Sequence, residues 1–554
     1  MKGDNTMSEK INVKEIKAYL IGGGIASLSA AVYLIRDGHV PGKNIHVLEE
    51  MNITGGSMDG CGNPETGYVI RGGRMFDEEA YTCTFGIMES IPSLTDPKVT
   101  LKDEFNAFNK KIHTSGKARL IDNDANILDV SALGFNREDR IALMDIMVRP
   151  EDSFGTKTIT ECFPESFFKT NFWFMWTTTF AFQPWHSAIE FKRYLHRFIH
   201  EFPRLNDMSG VRRTAYNQYD SIILPITEWL KAQGVNYELG LSVTSLDFKL
   251  SEVEKTVEGI NCIKGGKESK IIVEDGDFVF VTVGSLTAGA SLGSMTTAPK
   301  MNDKNVGGSW KLWEDIAKVS PEFGKPQVFD ERVEESMWES FTVTLKDPTM
   351  VKRIIEFSGN QPGTGALMTF KESSWFMSIV LHNQPHFLNQ PDNVQTFWGY
   401  ALSPYNQGDF VKKRMIDCTG EEILTELLCH LKFNEDMGKI LKTSKCIPCI
   451  LPFTTSQFLT RAKDDRPQVV PECSTNLAFL GQFCEIPEDV VFTVDYSVRS
   501  AQTAVYKFLD LDKEVTPIYK GQYDVRVLFN SAVSMLKDEN LIKELNAIKS
   551  MMLK

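Results

Sequence analysis

Residues 17–50 read KAYLIGGGIASLSAAVYLIRDGHVPGKNIHVLEE, and this stretch decides the fold. An apolar strand over residues 18–21 runs into Gly22-Gly23-Gly24-Ile25-Ala26-Ser27, then into an Ala- and Leu-rich helix, and a second strand over 45–48 ends at Glu49. Gly22 permits the tight turn, Gly24 lets the backbone approach a pyrophosphate, and the helix N-terminus faces the charge. Ser27 stands where a third glycine is usual and is small enough to keep helix and strand close. Glu49 follows Gly22 by 27 residues, where a carboxylate accepts hydrogen bonds from ribose hydroxyls and repels a 2′-phosphate. Strand, glycine turn, helix and acidic strand end agree on a dinucleotide-binding βαβ unit.

The segments further along select FAD over NAD. Gly55-Gly56-Ser57-Met58-Asp59-Gly60 is a second glycine turn, of the kind flavoproteins place beside the diphosphate and ribityl chain. Residues 277–285 (DFVFVTVGS) have the form of a strand and turn returning to the same domain. Residues 476–500 (NLAFLGQFCEIPEDVVFTVDYSVRS) have the strand–Gly–helix form that closes over a flavin. The expected fold is α/β: a discontinuous Rossmann-like FAD domain over 15–75, 210–300 and 470–513, an inserted substrate domain and lid over 76–209 and 301–469, and C-terminal helices over 514–554. Flavin contacts are expected from Gly22, Gly24, Ala26, Ser27 and Glu49 in the first unit and from Gly56, Ser57 and Met75 after it. Val243, Ser285, Gly481 and Ser497 complete that set.

The chain has 554 residues, which implies about three or four domains. Its net charge of −13 disfavours nucleic acid as a partner. No apolar run reaches the ~18 residues needed to span a bilayer, and MKGDNTMSEKINVKEIK lacks the apolar centre of a secretory signal. Ten scattered cysteines fit reduced thiols better than a disulfide framework, so a cytoplasmic protein is expected, with contact at a membrane surface left open. Cys446 and Cys449 form an isolated CxxC, without the context of a redox or zinc motif. His196 and His200 stand at i and i+4 beside Glu201 without a third ligand, so no metal site is expected. In the tail, Leu541, Leu545, Ile548 and Met552 at helical spacing suggest an amphipathic helix for a partner subunit or a membrane interface.

Several long segments in order then carry a family resemblance: GGGIASLSAA, RGGR at 71–74, SIPS at 90–93, FAFQPWHSAIEFKRY at 180–194, YNQYDSIILP at 216–225, NQPHFLNQP at 383–391 and the closing block at 474–499. Nearly the whole chain resembles the oleate hydratases, also called the myosin-cross-reactive antigen family. The resemblance implies a hydro-lyase that adds water across the cis-9 double bond of free unsaturated fatty acids. It also implies an FAD that undergoes no net redox change and supports activity in its reduced form; separately, a homodimer is expected. Its proton donor corresponds to Tyr194, preceded by Lys192 and Arg193; a phenol is a weak acid and needs help from a cation or the flavin. The carboxylate anchor corresponds to Gln218 and His386, with Val380 in a threonine position and His382 in an asparagine position. The family's water-orienting glutamate is missing: Met75 occupies its place in RGGRMFDEE, and a thioether is no base. Either Asp77 or Glu78 substitutes, or Glu79 does, or water is positioned without a carboxylate. Two rival readings remain at this stage, a redox flavoenzyme of the amine oxidase or desaturase type and a non-catalytic flavin or fatty-acid carrier.

Overall fold

The computed structural model describes residues 12–536 except 74, 252, 302–306 and 366. The tail positions Leu541 to Met552 therefore lie outside the described residues.

Five short strands build a parallel sheet in the order Leu477–Leu480, Phe278–Thr282, Ala18–Ile21, Ile45–Glu49, Asn236–Leu239. Ala18 pairs with Phe278 on one side and Ile45 on the other, and His46 with Asn236. AYLI, FVFVT and LAFL are near-continuous apolar runs, as strands covered on both faces require. The helix Ile25–Arg36 packs beside the helix Val494–Phe508, so the two ends of the chain's sequence meet over one sheet.

A second, mostly antiparallel sheet of seven strands centres on Trp338–Leu345, flanked by Ser444–Leu451 and Gln395–Ala401. Its alternation separates two faces. Phe341, Val343 and Leu345 pack with Ile423, Leu427 and Ile354 from covering helices. Opposite them, Thr342 and Thr344 accept the backbone N–H groups of Ile70 (3.1 Å) and Tyr68 (2.9 Å) from the hairpin Gly60–Asn63/Gly67–Ile70. Cys446 and Cys449 lie on one strand of this sheet three positions apart, an odd spacing that points them to opposite faces and into different apolar clusters. They cannot pair with each other in this arrangement, and burial pushes the Cys449 thiol up to about 12.

Two helices outside the sheets build an aromatic layer. Asn171–Phe180 is capped by the Thr170 hydroxyl accepting from the Trp173 N–H (3.0 Å), and it lays Phe172 and Trp176 against Phe202. The helix Ala188–Phe198 follows and presents Phe191, Tyr194 and Phe198 to that layer.

Candidate functional site: a dinucleotide cavity beside an apolar pocket

A cavity of about 770 Å³ opens at the carboxyl ends of all five parallel strands. Its wall includes Ile21-Gly22, Leu48-Glu49, Leu241 to Val243, Thr282 with Gly284-Ser285, and Gly481-Gln482. Ligands of open α/β sheets bind at this edge. Gly22 has φ +98°, a conformation that favours glycine, and Gly24 carries no neighbour within 4 Å of where a Cβ would stand, so its backbone faces open space. Gly24 is the N-cap of Ile25–Arg36 with no side-chain cap, which leaves the amide end of the helix available to an anion. The Glu49 carboxylate spans the mouth, accepting from the N–H groups of Gly23 (2.5 Å) and Met51 (2.7 Å). Burial raises its pKa against those two hydrogen bonds. The donor set fits a dinucleotide with a pyrophosphate and a ribose.

Gly22, Gly24, Ala26, Glu49, Gly56, Ser57, Val243, Ser285, Gly481 and Ser497 all line this cavity. Two residues expected here do not. Ser27 is fully buried, and its hydroxyl bonds that of Thr282 (3.1 Å), so it ties helix to strand. Met75 lines a different, smaller space.

That space is an apolar cavity of about 90 Å³ walled by Phe76, Tyr81, Phe180, Phe198, Leu205, Met208 and Phe492, with Met75, Asp77, Tyr194 and Glu201 among the lining residues. Tyr194 sits at the centre of four aromatic rings, Phe180, Phe182, Phe198 and Phe458. Its hydroxyl donates to the Val491 carbonyl (2.5 Å). Burial first, then nearby Tyr81 and acidic charge, raise its pKa well above 10, so the phenol keeps its proton. The two cations preceding it in sequence turn away. Arg193 binds Glu151 and Glu485, and the Lys192 ammonium caps the carbonyls of Ile146 (3.0 Å) and Met147 (2.7 Å). The cation whose charge favours the phenolate is Arg197, one helical turn on.

Two buried ionic clamps fix this helix against the loop that carries Val491. Glu485 accepts from Arg193 (2.9 Å) and Arg461 (2.8 Å), while Glu190 receives Arg461 (3.1 Å) and Arg466 (3.0 Å). Asp489 binds Arg197 and Arg499. Charges this deep are tolerable only because each finds its counter-ion. Phe492, which lines the apolar cavity, has φ +72°, a strained setting for a bulky side chain and one that concentrates at functional loops.

The acidic candidates separate. Asp77 is buried at the cavity wall, accepting from Ala80 N–H (2.8 Å), Glu79 N–H (3.1 Å) and His200 Nε2 (2.9 Å). Burial pushes its pKa up, but the His200 hydrogen bond and charge outweigh that and hold it below the usual range. Glu78 instead faces solvent, its side chain 51% exposed and paired with Lys102 (2.8 Å), outside both cavities. Glu201 and His200 complete the group: Glu201 Oε1 lies 3.5 Å from His200 Nε2 and receives Arg204. Burial and the Asp77 charge push Glu201 up to about 7. Glu201 was visible in the sequence only as a neighbour of the His196/His200 pair; nothing in the spacing tied it to Asp77. His196 lies apart, with Nε2 2.9 Å from the Met147 carbonyl oxygen.

Gln218, His382 and His386 line neither cavity. The two imidazoles stack with centroids 3.8 Å apart and planes 4° from parallel. Burial keeps both neutral, His386 down at about 3, and the Nε2 atom of each is buried without a hydrogen-bond partner. Arg213, which no sequence motif marks, adds its charge to this place: desolvation alone lowers it to about 10, and its Nε is likewise buried and unpartnered. The segment connecting the pocket to this cluster is short. Arg212 pairs its backbone with Phe76 (2.8 and 3.0 Å), and Asn217 N–H donates to the His386 carbonyl (2.8 Å).

A glycine-lined cavity at the carboxyl edge of a parallel sheet, with the closing helix supplied from the far end of the chain, defines a protein of the FAD-binding flavoprotein fold. Solved structures of that fold are similar at low identity. Cyclohexylamine oxidase from Brevibacterium oxydans IH-35A matches with TM-score 0.51 and 14% identity, over 89% of this chain and 99% of that one. Reduced UDP-galactopyranose mutase matches with TM-score 0.50 and 14% identity, over 90% and 95%. The chain belongs to the MCRA family, whose model matches residues 15–506. It is 39% identical to the oleate hydratase of Streptococcus pyogenes serotype M49 (strain NZ131) over 544 residues, covering 96% of this chain and 92% of that protein. It is 36% identical to the linoleate hydratase of Lactiplantibacillus plantarum over 532 residues, covering 89% and 93%.

Proposed function

We propose that this protein is an FAD-dependent fatty acid hydratase that adds water to a cis double bond of a free unsaturated acid, oleate or linoleate among them, without net redox change. The observation that carries the reading is the apolar cavity in which the Tyr194 ring and two carboxyl groups share one wall. An alkene needs a proton donor on one carbon and a water-derived oxygen on the other, in surroundings from which bulk water is excluded. Tyr194 has a proton to give, and acidic side chains stand at the same space to orient water. The family relationship supports the same chemistry.

The substrate carboxylate belongs at the Arg213–His382–His386 cluster. An anion there would give the buried guanidinium its missing charge partner and the orphaned ring nitrogens an acceptor, with Gln218 buried in the neighbouring segment. FAD would lie with its pyrophosphate on Gly22–Ala26, its ribose on Glu49 and its ribityl side by Gly56, Ser57, Ser285, Gly481 and Ser497. Bound and reduced, the flavin would bring a rigid ring rather than electrons to the reaction. We assign residues 15–75, 210–300 and 470–513 to the cofactor domain, with 76–209 and 301–469 contributing the substrate side and 514–554 an appended helical segment. No helix among the described residues is long and apolar enough to cross a membrane. We infer a cytoplasmic homodimer that meets membrane surfaces transiently to collect its substrate.

The test is anaerobic incubation of flavin-reduced protein with oleate and with linoleate, followed by mass spectrometry. Gain of one water supports the hydratase. Loss of two hydrogens identifies a redox flavoenzyme, and binding without turnover a carrier.

A further inference from the structure

We propose that Glu201 is the base that takes the proton from water in this chain, replacing the carboxylate absent at Met75. The inference rests on the hydratase reading and deepens it. Met75, Asp77, Tyr194 and Glu201 line the same cavity, so the vacancy left by the thioether and the new carboxyl group border one space. Glu201 stands in the turn Ile199–Arg204, which continues directly from the helix that carries Tyr194. Donor and acceptor are thereby set on one continuous element, on the wall of a pocket narrow enough to hold both near the same double bond.

Asp77 borders the cavity too, but its oxygens are already engaged. One takes the N–H groups of Ala80 and Glu79, the other takes His200 Nε2. A carboxylate stabilised by three donors is a poor proton acceptor. Its charge instead acts on Glu201, one of whose carboxylate oxygens lies within 4.8 Å of an Asp77 oxygen. Asp77 and His200 are positioning residues. Glu201 is poised differently: burial and the adjacent negative charge bring it close to neutral pH, where a general base is most effective. Four sides of it are defined. Asp77 faces it from the turn at 76–81, with Glu79 beyond, 3.8 Å from His200 Nε2. His200 and Arg204 face it from its own turn. Tyr519, from the C-terminal segment, closes over His200 with ring centroids 5.0 Å apart. The bare Cα of Gly210 forms the fourth side, because any Cβ there would fall inside the Glu201 carboxyl group.

The step balances without an oxidant or reductant. The Tyr194 O–H proton and the alkene π pair form a C–H bond, leaving phenolate and a cationic carbon. A water lone pair then forms the C–O bond as the water O–H breaks, and that proton passes to the Glu201 carboxylate. Transfer of one proton from Glu201 back to the phenolate, as product leaves and water re-enters the cavity, restores both groups.

Steady-state hydration of the holoprotein across pH 5–9 tests the assignment, using E201Q, D77N and G210A with flavin absorbance and fatty-acid binding measured on each. For E201Q the expected result is a loss in kcat of about a hundredfold or more with KM and flavin content held. Removing the Asp77 charge lowers the Glu201 pKa, so in D77N the acid limb of kcat moves to lower pH. G210A displaces the carboxyl group and lowers kcat in the same direction as E201Q. An E201Q protein within threefold of wild type overturns the proposal, as does an unmoved acid limb in D77N, which decides the matter if E201Q loses its flavin. Activity lost on dialysis against EDTA and restored by a divalent cation also overturns it, since Asp77, His200 and Glu201 would then be holding metal. A wild-type protein that hydrates neither acid overturns the underlying function as well, which separates that failure from this one.

Discussion

Replacing Tyr194 by Phe removes a single oxygen from the centre of the proposed reaction and leaves the ring in place. The ring's edge and face contacts with Phe180, Phe182, Phe198 and Phe458 survive the change, so the packing layer is kept. What is lost is the hydrogen bond to the Val491 carbonyl, and an acceptor left unpaired at this depth costs about 1–3 kcal/mol. The protein should stay folded and keep its flavin, since none of the residues lining the larger cavity is touched. Catalysis is another matter. A positioned general acid contributes roughly 10²–10⁴ in rate, which at 1.36 kcal/mol per tenfold is about 2.7–5.4 kcal/mol of barrier. The assay is conversion of oleate in D2O by reduced holoprotein, reading kcat, KM and deuterium at carbon. Wild type should place one solvent deuterium on carbon, and Y194F should lose kcat by at least about a hundredfold with KM little changed. Because the phenol is held well above 10, the wild-type profile should also show no basic limb from Tyr194 below pH 9. A Phe variant that retains flavin and turns over within threefold of wild type would refute the assignment of this hydroxyl as the donor.

Three further outcomes follow from other parts of the molecule. Gly24→Val places a side chain where the protein itself leaves open space, at an extended backbone (φ −79°, ψ 176°) that valine accepts. Far-ultraviolet dichroism should be unchanged while flavin retention after gel filtration falls at least about tenfold. Arg213→Gln should raise KM for free fatty acids about ten- to a hundredfold, the worth of a hydrogen bond to a charged group, and should erase the preference for free acids over methyl esters; an unchanged preference would exclude Arg213 from the anchor. Glu485 predicts the acid limit of stability. Its folded pKa is depressed to about 2 because Arg461, Arg193 and Arg466 outweigh burial. It therefore contributes stability that is complete above about pH 4.5 and lost as pH falls towards 2, on the order of 3 kcal/mol. Urea midpoints measured from pH 6 to pH 2.5 should fall more steeply in wild type than in Glu485→Gln.

The dinucleotide edge was legible because local chemistry dictates it. Gly22 needs a left-handed turn, Gly24 needs an open face, and Glu49 ends its strand at the mouth, each within one contiguous stretch. Strands buried on both faces are likewise written as apolar runs. Ser27 keeps the helix–strand packing expected of its place in the glycine pattern, but its hydroxyl bonds Thr282 and lies off the cavity wall where a flavin contact was expected. The placement of the acidic side chains around the apolar cavity was legible only in part. Asp77 and Glu78 are neighbours in sequence, yet one turns into the wall and the other pairs with Lys102 outside it, a choice made by tertiary contacts with His200 and Lys102. The surroundings of Glu201 and Arg213 could not be read from local spacing because they are set by residues more than a hundred positions away, Asp77 and the His382/His386 stack.

Under the proposed hydratase reading, the arrangement offers a physical reason for a flavin in chemistry that would move no electrons. The loop between Gly481 and Ser497 belongs to both cavities: Gly481, Gln482 and Ser497 line the larger one, Phe492 and Thr493 the smaller. Gln482 joins them, donating to the Thr493 carbonyl (2.9 Å) and the Ser497 hydroxyl (2.8 Å) and accepting from the Phe492 N–H. Val491, which fixes the Tyr194 hydroxyl, sits on that same loop, and Phe492 beside it is held in a left-handed conformation that only its surroundings can enforce. A flavin bound in the larger cavity would be held by Gly481, Gln482 and Ser497, on the same loop whose Val491 carbonyl accepts from the Tyr194 hydroxyl. On the proposed reading, this shared loop is the route by which a bound flavin would support hydration by shape rather than by potential.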